Sequence, residues 1–294
     1  TVSNVVSTGV VTIPLMRKGG YPAHVAGAIE AVASTGGQLM PPIMGAAAFL
    51  MAEFLQIPYK DVVIAAIIPS FLYYTTLFIQ ADLYAARHNI ARVENHLIPN
   101  RWPVLKAGWY YAIPFAILIY ALFELNYQPD TSALLGSIAV IIVGLIIGYK
   151  GSRMSVRDAL MAFSITGVVV VQIVMIGAMA GIIIGVLNIT GLGFAMTEAL
   201  VQLAAGNLFL LLLMAAFVSI ILGMGMPTLG VYLLIATLVT PSLVEFGVKP
   251  ISAHLFALYF GMLSMITPPV AIAAFAAATV ANSDPMKTGF LRLL

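Results

Sequence analysis

The sequence predicts an all-α polytopic membrane protein, assembled as an inverted repeat with discontinuous helices and re-entrant hairpins. Three observations predict it. First, 62% of the 294 residues are hydrophobic and 8% are charged, against about 25% charged in an ordinary soluble domain. A soluble core of this size cannot hide so much apolar side chain, which places the chain in a bilayer. Second, two long apolar stretches are interrupted at their middles, by Ala33-Ser-Thr-Gly-Gly-Gln-Leu-Met-Pro-Pro-Ile-Met-Gly and by Phe260-Gly-Met-Leu-Ser-Met-Ile-Thr-Pro-Pro-Val. An ungapped shift of 227 residues lays one interruption on the other: Pro41 falls on Pro268, Pro42 on Pro269, Pro14 on Pro241, Gly20 on Gly247, Ala26 on Ala253, and Ala46-Ala47 on Ala273-Ala274. Third, the basic residues are distributed unequally between the two sides that these spans define.

Apolar blocks between turn residues give the elements in order. Helix A covers 23–55 with a break at 34–42, followed by helix B at 62–85, C at 107–124, D at 133–149 and E at 158–187. Helix G covers 252–281 and carries the second break. Between E and G, the arms 207–222 and 229–245 flank Gly223-Met-Gly-Met-Pro-Thr. Each arm is shorter than the ~20 residues of a full span, so a re-entrant hairpin is expected, with two short tilted spans as the alternative. The offset places Thr1 on Thr228, which makes residues 1–14 the returning arm of a first hairpin. Its other arm is expected in a longer polypeptide, since both ends read as interior sequence and no signal peptide opens the chain. Four regions result: 1–55, a first repeat; 56–150, scaffold helices B to D; 151–206, helix E and a connector; and 207–294, a second repeat. The aromatics of B to D and Trp102 and Trp109 suit scaffold packing and interfacial anchoring.

If A starts on one side, that side holds Arg17, Lys18, Arg87, Arg92, Arg101, Lys106, Lys150, Arg153, Arg157, Lys287 and Arg292, and the other holds only Lys60 and Lys249. Basic loops stay cytoplasmic, so A crosses outward and G inward. Oppositely inserted repeats with matching broken helices point to the binding site of a secondary transporter.

The polar groups of the breaks carry that reading. Ser34, Thr35, Gly36, Gly37 and Gln38, and in G Ser264, Thr267, Pro268 and Pro269, could offer hydroxyls and freed carbonyls to a small cation, with half-helix dipoles facing an anion. The competing account is a packing kink. Gly225 and Thr228 at the hairpin tip could touch a ligand or merely reverse the chain, and Thr1, Ser3, Asn4, Ser7 and Thr8 would serve likewise in the first hairpin. Glu30, one turn before the break, is either a proton carrier or counter-charge, or a carboxylate paired with a cation or a polar crevice. Glu53 and Asp82 sit near span ends, and His24 and His254 are expected at wet helix starts. Met224, Met226, Met262 and Met265 could suggest a soft-metal site, with apolar packing as the plainer account. The chain has no cysteine, no HExxH, no GxSxG and no phosphate-binding glycine loop, so an enzyme, ATP hydrolysis and a nucleic-acid partner are not expected. A passive channel or a scaffolding subunit is the alternative to a coupled carrier.

Five motifs together carry a family resemblance. They are Asn4-Val-Val-Ser-Thr-Gly with Ile13-Pro-Leu; Gly20-Tyr-Pro with Glu30-Ala-Val-Ala-Ser-Thr-Gly-Gly-Gln-Leu-Met-Pro-Pro; Gly185-Val-Leu-Asn-Ile-Thr-Gly; Leu222-Gly-Met-Gly-Met-Pro-Thr; and Thr267-Pro-Pro-Val. On these the chain resembles the large membrane (permease) subunit of a TRAP transporter, of the TAXI-associated fused type within the ion-transporter superfamily. The resemblance implies an elevator-type carrier in the bacterial inner membrane. It would be driven by a sodium or proton gradient and fed an organic anion by a periplasmic TAXI-type solute-binding protein, alongside a small membrane subunit or its fused equivalent. Carried over, one ion site involves Ser3, Asn4, Ser34, Thr35 and Gly36, and a second Gly223, Gly225, Ser264 and Thr267. Substrate would touch Thr228, Pro41, Pro42, Pro268 and Pro269. No cofactor is implied beyond sodium as coupling ion. Many dicarboxylate-type members carry an acidic residue where this chain has Pro227, a departure that leaves room for proton coupling through Glu30.

Overall fold

The structure is a computed structural model that describes residues 1–90, 100–148 and 153–290. Arg92, Lys150 and Arg292 of the charge argument, and the end of the chain from 291, lie outside the described residues. The described residues fold into helices without strands, which makes this an all-α polytopic membrane protein.

Two compact units emerge, one of Thr1–Arg92 with Ile176–Leu294 and one of Val93–Met175. In the smaller, α5 (Arg101–Gly108) runs through a 3-10 turn at Trp109–Tyr111 into α6 (Ala112–Phe123), which packs on α7 (Pro129–Ile146). The Tyr110 hydroxyl holds the end of α7 by donating to Gly148 O at 2.6 Å. Helix thus begins at Arg101, six residues before the expected start of C, inside what had read as a basic loop. By length and composition, Arg101–Phe123, Pro129–Ile146 and α4 (Tyr59–Arg87) of the larger unit can each cross a membrane. Ile64, Ile67, Ile68 and Phe71 form an exposed apolar face on α4, which suits lipid rather than water.

The larger unit contains the repeats. The first is α1 (Val2–Lys18), α2 (Ala23–Gly36) and α3 (Ala46–Leu55); the second is α11 (Thr228–Leu238) with α12 (Thr240–Glu245), α13 (Pro250–Leu263) and α14 (Ile272–Ala281). Pro14 is accommodated inside α1, whereas its counterpart Pro241 opens α12 after a break at Val239. Gly20 and Gly247 both take positive φ, +106° and +92°, at the turn before the next helix.

The 227-residue correspondence holds through both Pro-Pro pairs, whose bonds are cis, and then shortens by one. Buried Ala47, Ala48, Met51 and Ala52 of α3 answer to Ala273, Ala274, Ala277 and Ala278 of α14, a separation of 226. The left-handed residues that end these helices, Gln56 and Asn282, are also 226 apart. The expected match of Ala46-Ala47 with Ala273-Ala274 is therefore corrected. Gly45 is one extra residue between the left-handed Met44 and α3, while in the second repeat the left-handed Ala271 caps α14 directly.

The half-helices are exchanged between the repeats. Helix α14 packs on α1 and α2, and α3 packs on α11 and α13. Gly27 permits the first crossing, since a Cβ there would lie 3.4 Å from both Ala277 O and the Ala281 methyl. Phe54 meets Tyr232 edge-on in the second.

The remaining helices complete the unit. The connector after helix E is helical: Gly191, at φ +69°, separates α8 (Val156–Thr190) from α9 (Leu192–Ala204), which packs on α10 (Leu208–Gly223), α11 and α12. Helix α10 (Leu208–Gly223) starts from an Asn207 cap whose side-chain oxygen accepts from the amides of Phe209 and Leu210. It packs on α11 across the turn Met224–Pro227, and both arms are too short to span. Helix α4 (Tyr59–Arg87), expected with the scaffold, instead packs on α2, α3 and α13. Last comes α15 (Pro285–Phe290), against α14 and α2.

Candidate functional site

Helix α2 stops at Gly36 ahead of Pro41 and Pro42, which have no N–H to bond the carbonyls of Gly37 and Gln38, and the chain closes a loop with Gly45 N donating to Gln38 O at 2.8 Å. In the second repeat Ala273 N donates to Met265 O at 3.0 Å and closes the equivalent loop. Both interruptions are thus real departures from helix, with built backbone.

Around the first, α1 and α2 bring together most of the expected polar residues. The Asn4 amide donates to Ser34 Oγ at 3.0 Å, and Ser34 Oγ donates to Glu30 Oε1 at 3.1 Å. Thr8 Oγ1 lies 2.6 Å from Glu30 Oε1 and Thr12 Oγ1 lies 2.5 Å from Glu30 Oε2. Glu30 is 6% exposed, and its partners are hydroxyls; no cation pairs with it among the described residues. Gln38 donates to the Thr1 hydroxyl, joining the head of α1 to the loop. Ser3 is on the exposed side of α1, outside this chain of bonds, and the Thr35 hydroxyl is turned back to Ala31 O at 2.8 Å. Thr12 was missed in the sequence, although it stands one helical turn after Thr8 on the same face.

The same positions in the second repeat are dry. Asn4, Thr8, Thr12, Glu30 and Ser34 correspond at 227 residues to Val231, Ile235, Val239, Ala257 and Gly261. The first four of these are within one apolar core. A Cβ on Gly261 would lie 2.6 Å from Ile235 Cδ1 and 2.8 Å from Val231 Cγ1, so even methyl-sized space is filled.

The second interruption meets the hairpin tip instead. A Cβ on Gly223 would lie 2.6 Å from Ser264 Oγ and 2.7 Å from Gly261 O, and one on Gly225, at φ +79°, 3.9 Å from Val270 Cγ1. Gly223 is thus in contact with Ser264, whereas Gly225 lies beside Val270. The Ser264 and Thr267 hydroxyls donate within their own chain, to Gly261 O at 2.6 Å and Leu263 O at 2.7 Å. Ser219 Oγ, one turn before Gly223, is fully buried without a hydrogen-bond partner among the described residues. No motif flagged it, because an isolated serine in an apolar arm gives no spacing signal.

Three helices begin at these features: α3 after Gly45, α14 after Ala271 and α11 after Pro227. None of these three residues has a side chain that can cap; Ala48 N and Ala273 N are bonded to Gly45 O and Met265 O, and the other first-turn N–H groups sit at the positive end of each helix. Thr228 is the first residue of α11; Pro41, Pro42 and Pro268 are half-buried, and Pro269 is exposed. A cavity of about 470 Å³ lies between α2, α4, α13 and α14, lined by Val32, Tyr73, Gln80, Tyr259 and Ile266 among others, and none of the expected substrate residues line it. The Tyr259 hydroxyl there is buried and unpartnered among the described residues.

Of the remaining candidates, His254 is corrected: it is half-buried and shares a 2.7 Å hydrogen bond with the Tyr232 hydroxyl rather than standing in water. Met262 and Met265 are buried at 1% and 6% exposure, as packing residues are.

Comparison with known proteins accords with this architecture. The family described as "Tripartite ATP-independent periplasmic transporter, DctM component" matches residues 1–291. The chain is 22% identical over 283 residues to the isethionate TRAP transporter permease protein DctMQ of Oleidesulfovibrio alaskensis, covering 96% of this chain and 44% of that one. It is 23% identical over 276 residues to the sialic acid TRAP transporter permease protein SiaT of Haemophilus influenzae, covering 93% and 44%. The chain thus spans less than half the length of the curated relatives it matches.

Proposed function

We propose that this chain, which belongs to the DctM component family of tripartite ATP-independent periplasmic transporters, is the ion-coupled core of a secondary active carrier. It takes up a small organic anion across the bacterial inner membrane by an elevator movement. A periplasmic solute-binding protein of TAXI type delivers the anion, and a small membrane subunit, separate or fused, completes the assembly. The reaction is translocation, with no catalytic step.

One observation carries the coupling: a buried carboxylate held by three hydroxyls beside a broken helix. Thr8 Oγ1 is 2.7 Å from Asn4 O as well as 2.6 Å from Glu30, and Thr12 Oγ1 is 3.0 Å from Thr8 O as well as 2.5 Å from Glu30. With Ser34, five short oxygen–oxygen contacts share three hydroxyl hydrogens. A proton on Glu30 supplies a fourth, letting the carboxyl donate to a threonine that passes its own hydrogen to a carbonyl. This favours a proton at Glu30 over sodium, which would need lone pairs turned inward. The second ion position, at Gly223, Gly225, Ser264 and Thr267, offers backbone and hydroxyl oxygens and no carboxylate. The uncapped starts of α3, α11 and α14, with Thr228 and the Pro-Pro segments, suit an anionic substrate.

The test is uptake into proteoliposomes holding the full-length permease with its binding protein. Accumulation should require an inward proton gradient and persist when choline replaces sodium at fixed pH. Uptake that survives collapse of every ion gradient rejects the carrier reading; strict sodium dependence rejects the assignment of the proton.

A further inference from the structure

Among the described residues, the first interruption has a support that the second lacks. Helix α4 directs three tyrosine hydroxyls at backbone carbonyls of the α2–α3 segment: Tyr73 donates to Val32 O at 2.8 Å, Tyr74 to Ala33 O at 3.2 Å, and Tyr59 to both Pro42 O and Ile43 O at 3.0 and 2.9 Å. Ala33 is in the last turn of α2, where carbonyls lose their intrahelical partners. Adjacent tyrosines therefore bond adjacent carbonyls on one side of the break, and a third, Tyr59 at the start of α4 and about four helical turns earlier, bonds the other side. The fit is close. A Cβ on Gly36 would lie 2.5 Å from Tyr73 Cε1 and 3.0 Å from Tyr74 Cζ, so glycine is needed for the rings to reach. Tyr59 is 4% exposed and stacked on Phe49 with ring centroids 4.4 Å apart, which fixes its hydroxyl.

In the second break, Gly261 O and Leu263 O are bonded by Ser264 and Thr267 of the same segment. Those bonds tie the segment to itself, and its glycine neighbour on the hairpin tip, Gly223, has no side chain to add a bond.

We infer that Tyr59, Tyr73 and Tyr74 are positioning residues that hold the first break in its binding-ready form, while the second break is free to reorganise with the hairpin tip. The consequence for transport rests on the carrier reading above; the conformational claim does not. Four carbonyl oxygens of the first break are occupied by phenols, so α4 and this break behave as one body, and the mobile gate is at the second.

Hydrogen exchange on the ligand-free full-length permease in lipid nanodiscs tests this. Amides of 38–45 should exchange at least tenfold more slowly than those of 265–273. Tyr73→Phe with Tyr74→Phe, and separately Tyr59→Phe, should erase about tenfold of the first break's protection and change the second by less than twofold. In proteoliposomes, the same variants should raise KM for the anion that the wild type accumulates by about tenfold, with the maximal rate within threefold. Equal exchange of the two breaks in the wild type overturns the inference even if no variant folds, as does unchanged exchange in folded Tyr→Phe variants. A loss confined to maximal rate also overturns it, since that is a structural defect rather than positioning. Absence of wild-type uptake would instead sink the carrier reading and leave the exchange comparison standing.

Discussion

Gly223 of the hairpin turn and Ser264 of the second break are in direct contact: a methyl group on the glycine would fall 2.6 Å from the serine oxygen and 2.7 Å from the carbonyl of Gly261. Backbone is as much in the way as side chain, so relief requires the turn and the break to separate. The hairpin and the broken helix are therefore one structural unit at this point.

Gly223→Ala should cost about 1–3 kcal/mol, as overpacking does. Transport should fall at least tenfold, measured as initial uptake at matched protein density. Gly225→Ala, near only Val270, tests a different property, the left-handed φ of +79°. It should cost about 1–2 kcal/mol through backbone strain, read as a lowered Tm in nanodiscs.

Glu30→Gln keeps size and polarity but removes the carboxyl group that would carry the proton. Gradient-driven accumulation should be lost, whereas exchange of labelled for unlabelled anion across the membrane should continue within threefold. Thr12→Val, which removes the 2.5 Å partner of Glu30 Oε2, should weaken coupling by about tenfold, in line with about 1.5 kcal/mol for a hydrogen bond to a charged or proton-sharing group. Full accumulation by Glu30→Gln would contradict the assignment.

The second repeat allows the reciprocal experiment. Ala257→Glu sets a carboxylate at the counterpart of Glu30, among Val231, Ile235 and Val239 instead of hydroxyls. A buried unpaired acid costs several kcal/mol, so the variant should fail to assemble. Ala257→Ser, able to bond its own helix, should fold with less than about 1.5 kcal/mol lost. Monodisperse elution in detergent separates the two outcomes.

Gly36→Ala drives a methyl group into the Tyr73 ring at 2.5 Å. Displacing the ring breaks the phenol bond to Val32 O, a net loss of about 1 kcal/mol, with an additional packing cost. Tm should fall by a few degrees, and pairing it with Tyr73→Leu, which vacates the space, should restore part of the loss.

Much of this arrangement was legible in the residues. Two prolines in the middle of an apolar run admit few structures, so the breaks and the hairpin turn at Gly223–Pro227 stood out. Glu30 with Ser34 was visible as a polar pair one turn apart. The one-residue slip after the break was not, because an ungapped comparison absorbs it when alanine follows alanine; only the burial of Ala47, Ala48, Met51 and Ala52 against Ala273, Ala274, Ala277 and Ala278 exposes it. The tyrosines of α4 read as ordinary span aromatics, since a phenol that bonds a distant carbonyl has the same local sequence as one resting in lipid. Helix α9 was concealed by Gly191 and Gly193, which resemble a loop, and the pairing of His254 with Tyr232 depends on a contact between helices that spacing does not encode.

The exchange of half-helices also sets the order in which the molecule can be made. Ten residues, Ala46–Leu55, are too few to cross a bilayer unaided; α4 follows directly and packs on them, but their other neighbours, α11 and α13, are encoded more than 170 residues later. At 5–20 residues per second, the ribosome needs on the order of ten to thirty seconds to supply them. During that interval α4 is the partner already at hand for α3, and the exchanged packing of the half-helices completes only once α11 and α13 have been made.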